Sequence, residues 1–161
     1  MYQPFALRAD SPLHGMGTMA AARSDDITRV AEMMRELDFC MFTTRGADGT
    51  LHARPMSNNG EVEFDGDVWF FSAAETRKIT EIRAEPRVLL SYADTEQFSF
   101  IAMTGDAEIV HDVAKKQELW MDELERWFTN GPESEDVVLI KVRPTLVQYW
   151  AGDGDGEIRL G

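Results

Sequence analysis

The chain has 161 residues, 43% of them hydrophobic, one cysteine and a formal net charge of −13, the size and apolar content of one compact domain that buries a core without disulfides or a structural metal. The charge makes nucleic acid and anionic membranes poor partners, since both are bound chiefly through accumulated Lys and Arg. A lone Cys40 excludes an intrachain disulfide and a cysteine-based zinc site and suits a reducing cytoplasm, while no apolar run approaches the roughly 20 residues that span a bilayer.

Residues 1–23 mix Pro, Gly, Ala and Ser without the hydrophobic segment of a signal peptide, and read as a frayed extension with no assigned function. From Asp25 on, Ile27, Val30, Ala31, Met34 and Leu37 recur at helical spacing, with Ser24 or Asp25 as the N-cap. Cys40–Thr44 and Thr50–Met56 read as the strands of a hairpin turning near Asp48-Gly49, and Pro55 in the second argues for an edge or a bulge. Glu61–Phe64 and Asp67–Ser72 form a second hairpin-like pair about Asp65-Gly66. Ser72-x-x-Glu75 then has the spacing of a capping box and predicts a helix start, with Ile79 and Ile82 as the apolar side and Pro86 beyond the end.

Arg87–Tyr92 reads as a buried strand and Gln97–Val110 as a long alternating one. One helix is predicted from Val113 to Phe128, with Trp120, Leu124, Trp127 and Phe128 on one face and Gly131-Pro132 as its stop. Val137–Trp150 alternates as a last long strand before a Gly/Asp-rich tail, residues 153–161. The sum is mainly β with flanking helices: six or seven mostly antiparallel strands in a small closed or partly closed barrel over residues 24–152.

The stretch Trp69–Ile79 carries the functional signal, because a hydrophobic strand runs straight into a helix whose first turns hold Arg77 and Lys78. A helix N-terminus already presents unpaired N–H groups and a partial positive charge, so adjacent cations there favour an anion. Arg77 offers a planar fork, Lys78 a point charge, Thr76 a hydroxyl and Arg54 a second fork from a neighbouring strand, which together suit a phosphomonoester. The rival is purely structural, with Arg77 paired to Glu81 at i+4 and Lys78 to Glu75 at i−3. Acidic residues dominate from Asp94 to Asp136, whereas Arg54, Arg77, Lys78, Arg83 and Arg87 gather in one earlier stretch, so an anionic ligand belongs with the latter.

Leu51-His52-Ala53-Arg54-Pro55-Met56, Val68-Trp69-Phe70-Phe71-Ser72, Thr76-Arg77-Lys78 and Glu85-Pro86-Arg87-Val88 together resemble the flavin-binding core of the pyridoxamine 5′-phosphate oxidase-like FMN-binding split barrels, in particular the general stress protein branch. The resemblance runs from about Asp25 to Trp150. It implies an FMN-binding split β-barrel in which Arg54, Arg77 and Lys78 hold the FMN phosphate, assisted by Thr76. Met56 and Ser57 would run along the flavin, and Phe71 and Ser72 would contact its isoalloxazine and ribityl groups, Ser72 also being open to a role as helix cap. It further implies a homodimer with flavin at the subunit interface, where Trp150 of Tyr149-Trp150-Ala151-Gly152 reaches flavin held mainly by the other subunit; a packed core Trp is the alternative.

Two departures set limits. Phe100 stands where the oxidases offer the flavin a Gln, and the sequence shows no basic cluster for the second phosphate that such a substrate would bring, which argues against oxidation of pyridoxamine phosphate. The scattered His14, His52 and His111 lack metal-ligand spacing, and only His52 adjoins the flavin segment. Two functions stay open: an FMN-dependent reductase drawing on a nicotinamide for a small-molecule substrate, and a flavin-binding or storage module without turnover. A deazaflavin or haem is a third reading that rests only on other branches of the superfamily. No catalytic residue stands out, as expected where the cofactor carries the chemistry.

Overall fold

A computed structural model describes residues 19–58 and 64–160, with residues 19–23 described as backbone only. The expected N-terminal extension lies mostly outside the described residues, as do Glu61–Glu63 of the second hairpin. The first helix, α1, spans Met19–Glu36. It starts earlier than its cap signals indicated, so Ser24 sits inside the helix and its carbonyl accepts from the Thr28 hydroxyl at 2.9 Å. The periodicity itself holds: Val30, Ala31, Met34 and Leu37 are buried in the main core.

Strands β1 (Phe39–Arg45) and β2 (Leu51–Ser57) form the expected hairpin, paired from Arg45↔Leu51 to Phe39↔Ser57. Gly49 takes φ +83° at the turn, a conformation that costs Gly little, and Asp48 Oδ1 accepts from the Thr50 N–H at 3.0 Å. Pro55 is tolerated because β2 is an edge strand. β3 covers Val68–Ala73 and α2 covers Arg77–Ala84. β4 (Arg87–Asp94) and β5 (Ser99–Val110) follow, and α3 is Val113–Leu119. β6 runs Val137–Ala151 and β7 Gly154–Arg159.

All pairings are antiparallel, in the order β2-β1-β4-β5-β6-β3, with β7 added to β6. The path does not close on itself, so the barrel is split. β6 makes this possible: its first half pairs with β3 through Val142↔Val68, and its second half with β7 through Leu146↔Arg159. Between the halves the β5–β6 register shifts at Thr104/Gly105, and a Cβ on Gly105 would sit 2.5 Å from the Arg143 carbonyl oxygen. Only Gly fits that close approach. The core inside holds Phe42 and Phe70 edge to face at 5.2 Å, with Leu90, Ile101, Met103, Ile140 and Val142.

Three expectations need correction. The helix predicted over Val113–Phe128 ends at Leu119 and gives way to a 3-10 turn at Asp122–Arg126. As a result Trp120, Leu124 and Phe128 pack around Phe71, while Trp127 is 79% exposed. Ser72 does not cap α2, because β3 continues through Ala73 and the N-cap is Thr76; the Ser72 hydroxyl donates to the Ala73 carbonyl at 2.9 Å. Residues 154–159, read within a polar tail, form β7. Its Gly156 lies under the Tyr149 ring, where a Cβ would come within 2.4 Å of the ring atoms, so the glycine content that reads as loop instead makes room for an aromatic side chain. Arg29 of α1 pairs with Asp153 and lies over the Tyr149 ring, tying the first helix to this last ribbon.

Candidate anion-binding site

Facing residues of an antiparallel ladder project to the same side, so the pairs Phe42↔Arg54 and Thr44↔His52 put Arg54 and His52 on the core side of an edge strand. There α2 covers them. Its Ile79 and Ile82 are buried, which brings the start of the helix over β2. The result is an open cleft of about 470 Å³ walled by residues 51–54 on one side and 76–78 on the other. Of the five clustered basic residues, Arg54, Arg77 and Lys78 meet here. Arg87 is tied instead to Asp106 at 3.0 Å and to the Thr145 hydroxyl at 3.3 Å.

The start of α2 has no side-chain cap. Thr76 turns its hydroxyl back toward the Ala73 carbonyl at a long 3.4 Å, and the earliest capping-region hydrogen bonds come from Ile79 and Thr80, both to the Thr76 carbonyl. The N–H groups of Arg77 and Lys78 therefore lack partners among the described residues. So do their side chains, since Glu81, the partner expected for Arg77 at i+4, is engaged elsewhere.

Glu81 is the residue that sequence reasoning missed. It is only 7% exposed, and its carboxylate accepts from Thr44 Oγ1 at 2.5 Å and contacts His52 Nδ1 at 2.8 Å, with Arg54 Nη2 at 3.8 Å. Thr44 in turn accepts from Arg54 Nη1 at 2.7 Å, and the same nitrogen donates to the Phe42 carbonyl at 3.1 Å. Burial pushes the Glu81 carboxyl toward the neutral form, but the hydrogen bonds from Thr44 and His52 and the charges of His52 and Arg54 outweigh it and hold the group below the ordinary carboxylate range. For Lys78, burial first and the Arg54 charge second favour loss of the proton. Arg54 is likewise lowered, mainly by burial and then by Arg77, with Glu81 opposing. Cations pressed together and partly desolvated are a site that an anion relieves.

The remaining candidate residues are not among those that line this cleft. Met56 packs against the main core, and Ser57 donates to Asp38 Oδ1 at 2.7 Å. Phe71 is buried with Trp120 at 5.4 Å, edge to face, and with Phe128 at 6.4 Å. Ser72 is buried in β3. Trp150 stands half-buried near the end of β6, opposite Phe100 of β5 and Asp155 of β7. Within one chain, then, the cleft gathers Arg54, Thr76, Arg77 and Lys78, with His52 added.

A family model described as pyridoxamine 5′-phosphate oxidase like matches residues 25–160. The chain belongs to that family. General stress protein 26 of Bacillus subtilis (strain 168) is 34% identical over 77 residues, a match covering 45% of this chain and 54%, or about half, of that relative. The structure of General Stress Protein 26 from Bacillus anthracis str. Sterne superposes with a TM-score of 0.70 at 25% identity, over 84% of this chain and 97% of the other. A pyridoxamine 5′-phosphate oxidase-related, FMN binding protein from Nostoc punctiforme gives a TM-score of 0.65 at 15% identity, over 89% and 88% of the two chains, a likeness of fold alone. This family member thus shares the split barrel with its general stress relatives. Among the described residues no helix is long and apolar enough to cross a membrane.

Proposed function

We propose that this protein is a general stress-type flavoprotein that holds FMN by its phosphate at the start of α2. The observation that carries the reading is the pair Arg77 and Lys78, unpaired among the described residues at an uncapped helix start and facing Arg54 across the cleft. The donor set fits a phosphomonoester: one fork from each wall, a point charge and two backbone N–H groups. Thr76 adds its hydroxyl by giving up the 3.4 Å contact to Ala73. Each charge-assisted bond contributes about 1.5–3 kcal/mol. The bound flavin would supply hydride and electron transfer, while the chain supplies placement and a positive potential.

The reading extends to a homodimer. Phe39, Met41, Leu51 and Leu89 leave an exposed apolar face on β1, β2 and β4, with Phe39 62% and Leu51 68% exposed, next to the cleft that Leu51 also lines. A second copy covering this face would enclose the flavin and bring a Trp150 to it from the partner. The cytoplasm is the compartment that a single buried Cys40 suits.

The visible spectrum of the purified protein and a fluorescence-quenching titration test the proposal. FMN is expected to bind well over tenfold more tightly than riboflavin, which lacks the phosphate; equal affinity would overturn the assignment. Oxidation of NADH or NADPH dependent on bound FMN, above the rate with free flavin, is expected of a reductase, and its absence would leave a binding module.

A further inference from the structure

Of Arg54, Arg77 and Lys78, only Arg54 has a side chain anchored among the described residues, and the anchor consumes one of its nitrogens. Each terminal nitrogen of a guanidinium carries two N–H donors and Nε carries one. Both donors of Arg54 Nη1 are taken inside the chain, by the Phe42 carbonyl at 3.1 Å and by the Thr44 hydroxyl at 2.7 Å. Nε and Nη2 make no hydrogen bond among the described residues, the nearest carboxylate to Nη2 being Glu81 at 3.8 Å.

Glu81 decides which way Thr44 faces. A hydroxyl has a single proton and two acceptor lone pairs, and with that proton given to Glu81 at 2.5 Å the Thr44 oxygen can only accept from Arg54. Without an acceptor there, the hydroxyl is free to turn its proton toward the guanidinium, where donor would meet donor. The other Glu81 oxygen contacts His52 Nδ1 at 2.8 Å, so both ends of the carboxylate are held. Thr44 and Glu81 are both more than nine-tenths buried and neither lines the cleft, whereas Arg54 does. A buried charge is costly, and a negative one beneath cations lowers the very potential that draws a phosphate. Attraction is therefore not what Glu81 contributes.

We propose that Glu81 and Thr44 are positioning residues, which act through Arg54 to preset its Nε–Nη2 edge as a fork for a phosphate monoester and so set how strongly the cleft prefers a phosphorylated flavin to an unphosphorylated one; this deepens the phosphate reading above and rests on it. That edge offers two parallel N–H groups, the geometry that matches two oxygens of one phosphate. A fork fixed by internal acceptors before the ligand arrives loses less rotamer freedom on binding than a loose arginine.

The ratio of FMN to riboflavin affinity, from quenching titrations, reads this role, because a general loss of packing acts on the flavin that both ligands share. Thr44→Val keeps the side chain's shape and removes the hydroxyl; the ratio should fall about tenfold, and Thr44→Ser should keep it within about threefold of the wild type. In an Arg54→Ala background, where no fork is left to orient, Thr44→Val should change the ratio by less than about twofold. Glu81→Gln, whose amide oxygen still accepts from Thr44, should hold the ratio within about threefold, and supplies the decisive comparison if Thr44→Val does not fold. A ratio untouched by Thr44→Val, the same fall in the Arg54→Ala background, or a rise beyond about threefold in Glu81→Gln, the sign of a carboxylate acting through its charge, overturns the inference and leaves the phosphate reading standing. Equal affinity for FMN and riboflavin in the wild type overturns both.

Discussion

The molecule carries two basic clusters that look alike in composition and differ in what their charges touch. Around Trp69, Lys115 and Lys141 lie over the indole at 5.0 and 5.4 Å and are paired with Glu118 and Asp67, while Lys116 donates its Nζ to the Ser134 and Val137 carbonyls at 2.9 Å each. Each of these cations is already satisfied within the chain. At the start of α2, Arg77 and Lys78 have no such partners among the described residues, and only Arg54 is anchored. Positive charge alone therefore does not single out a candidate site here; the proposed one is set apart by cations left unpaired, among the described residues, beside uncapped N–H groups. The first cluster holds the chain together. The second leaves two of its cations without such contacts among the described residues.

The sharpest way to break this distinction is to empty each cluster in turn. Arg77→Ala with Lys78→Ala should cost about 3 kcal/mol of FMN binding, roughly a hundredfold in Kd, with thermal stability unchanged or raised because mutual repulsion is relieved; a titration and a melt on the same sample read both. Unchanged affinity would place the anion elsewhere. Lys116→Ala should do the reverse. It takes the ammonium away from the buried Val137 carbonyl and the part-buried Ser134 carbonyl and should destabilise the fold by about 2 kcal/mol, with FMN affinity held in the fraction that remains folded.

A smaller effect separates the buried carboxylate from both clusters. Glu81 is held below the ordinary carboxylate range in the folded chain, so its contribution to stability is complete above about pH 4.3, the usual Glu value in an unfolded chain. It is lost as pH falls through the folded value. Acid melts should therefore show a steeper loss of stability below about pH 4 in the wild type than in Glu81→Gln. An identical acid limb would mean that the Thr44 and His52 contacts contribute nothing to the ionised form.

Glu81 also shows where sequence legibility stops. Thr76-Arg77-Lys78 stands out because adjacent cations at a helix start are a local pattern, and the edge character of β2 follows from one proline. The hairpin, the long strands and the apolar face of α2 are equally local and appear where the periodicity puts them. Glu81 reads from sequence as the i+4 partner of Arg77 in the purely structural alternative. Its actual partners, Thr44 and His52, lie 37 and 29 residues away, and nothing in the helix discloses them. β7 escaped for a related reason: Gly and Asp read as loop, but the second half of β6 offers an edge, and Gly156 is what allows a strand to pass under Tyr149. Ser72 matched a capping box by spacing, while β3 continues through Ala73 and the helix takes Thr76 as its N-cap.

The mildest test returns to the satisfied cluster. Lys115 contacts Glu118 at 2.8 Å across one helical turn and lies over the Trp69 ring, two interactions worth about 0.5–1 kcal/mol each at best where water reaches them. Lys115→Met keeps the aliphatic stem against the indole and removes only the charge, so stability should fall by no more than about 1 kcal/mol, less at high salt. Both clusters lie on the same chain and both would attract a phosphate from a distance, but only direct contact distinguishes them. The FMN Kd of Lys115→Met measured at physiological salt should match the wild type. A tenfold loss there would mean that the cations around Trp69 reach the ligand after all, and that counting intrachain partners is the wrong way to tell a structural cation from a binding one.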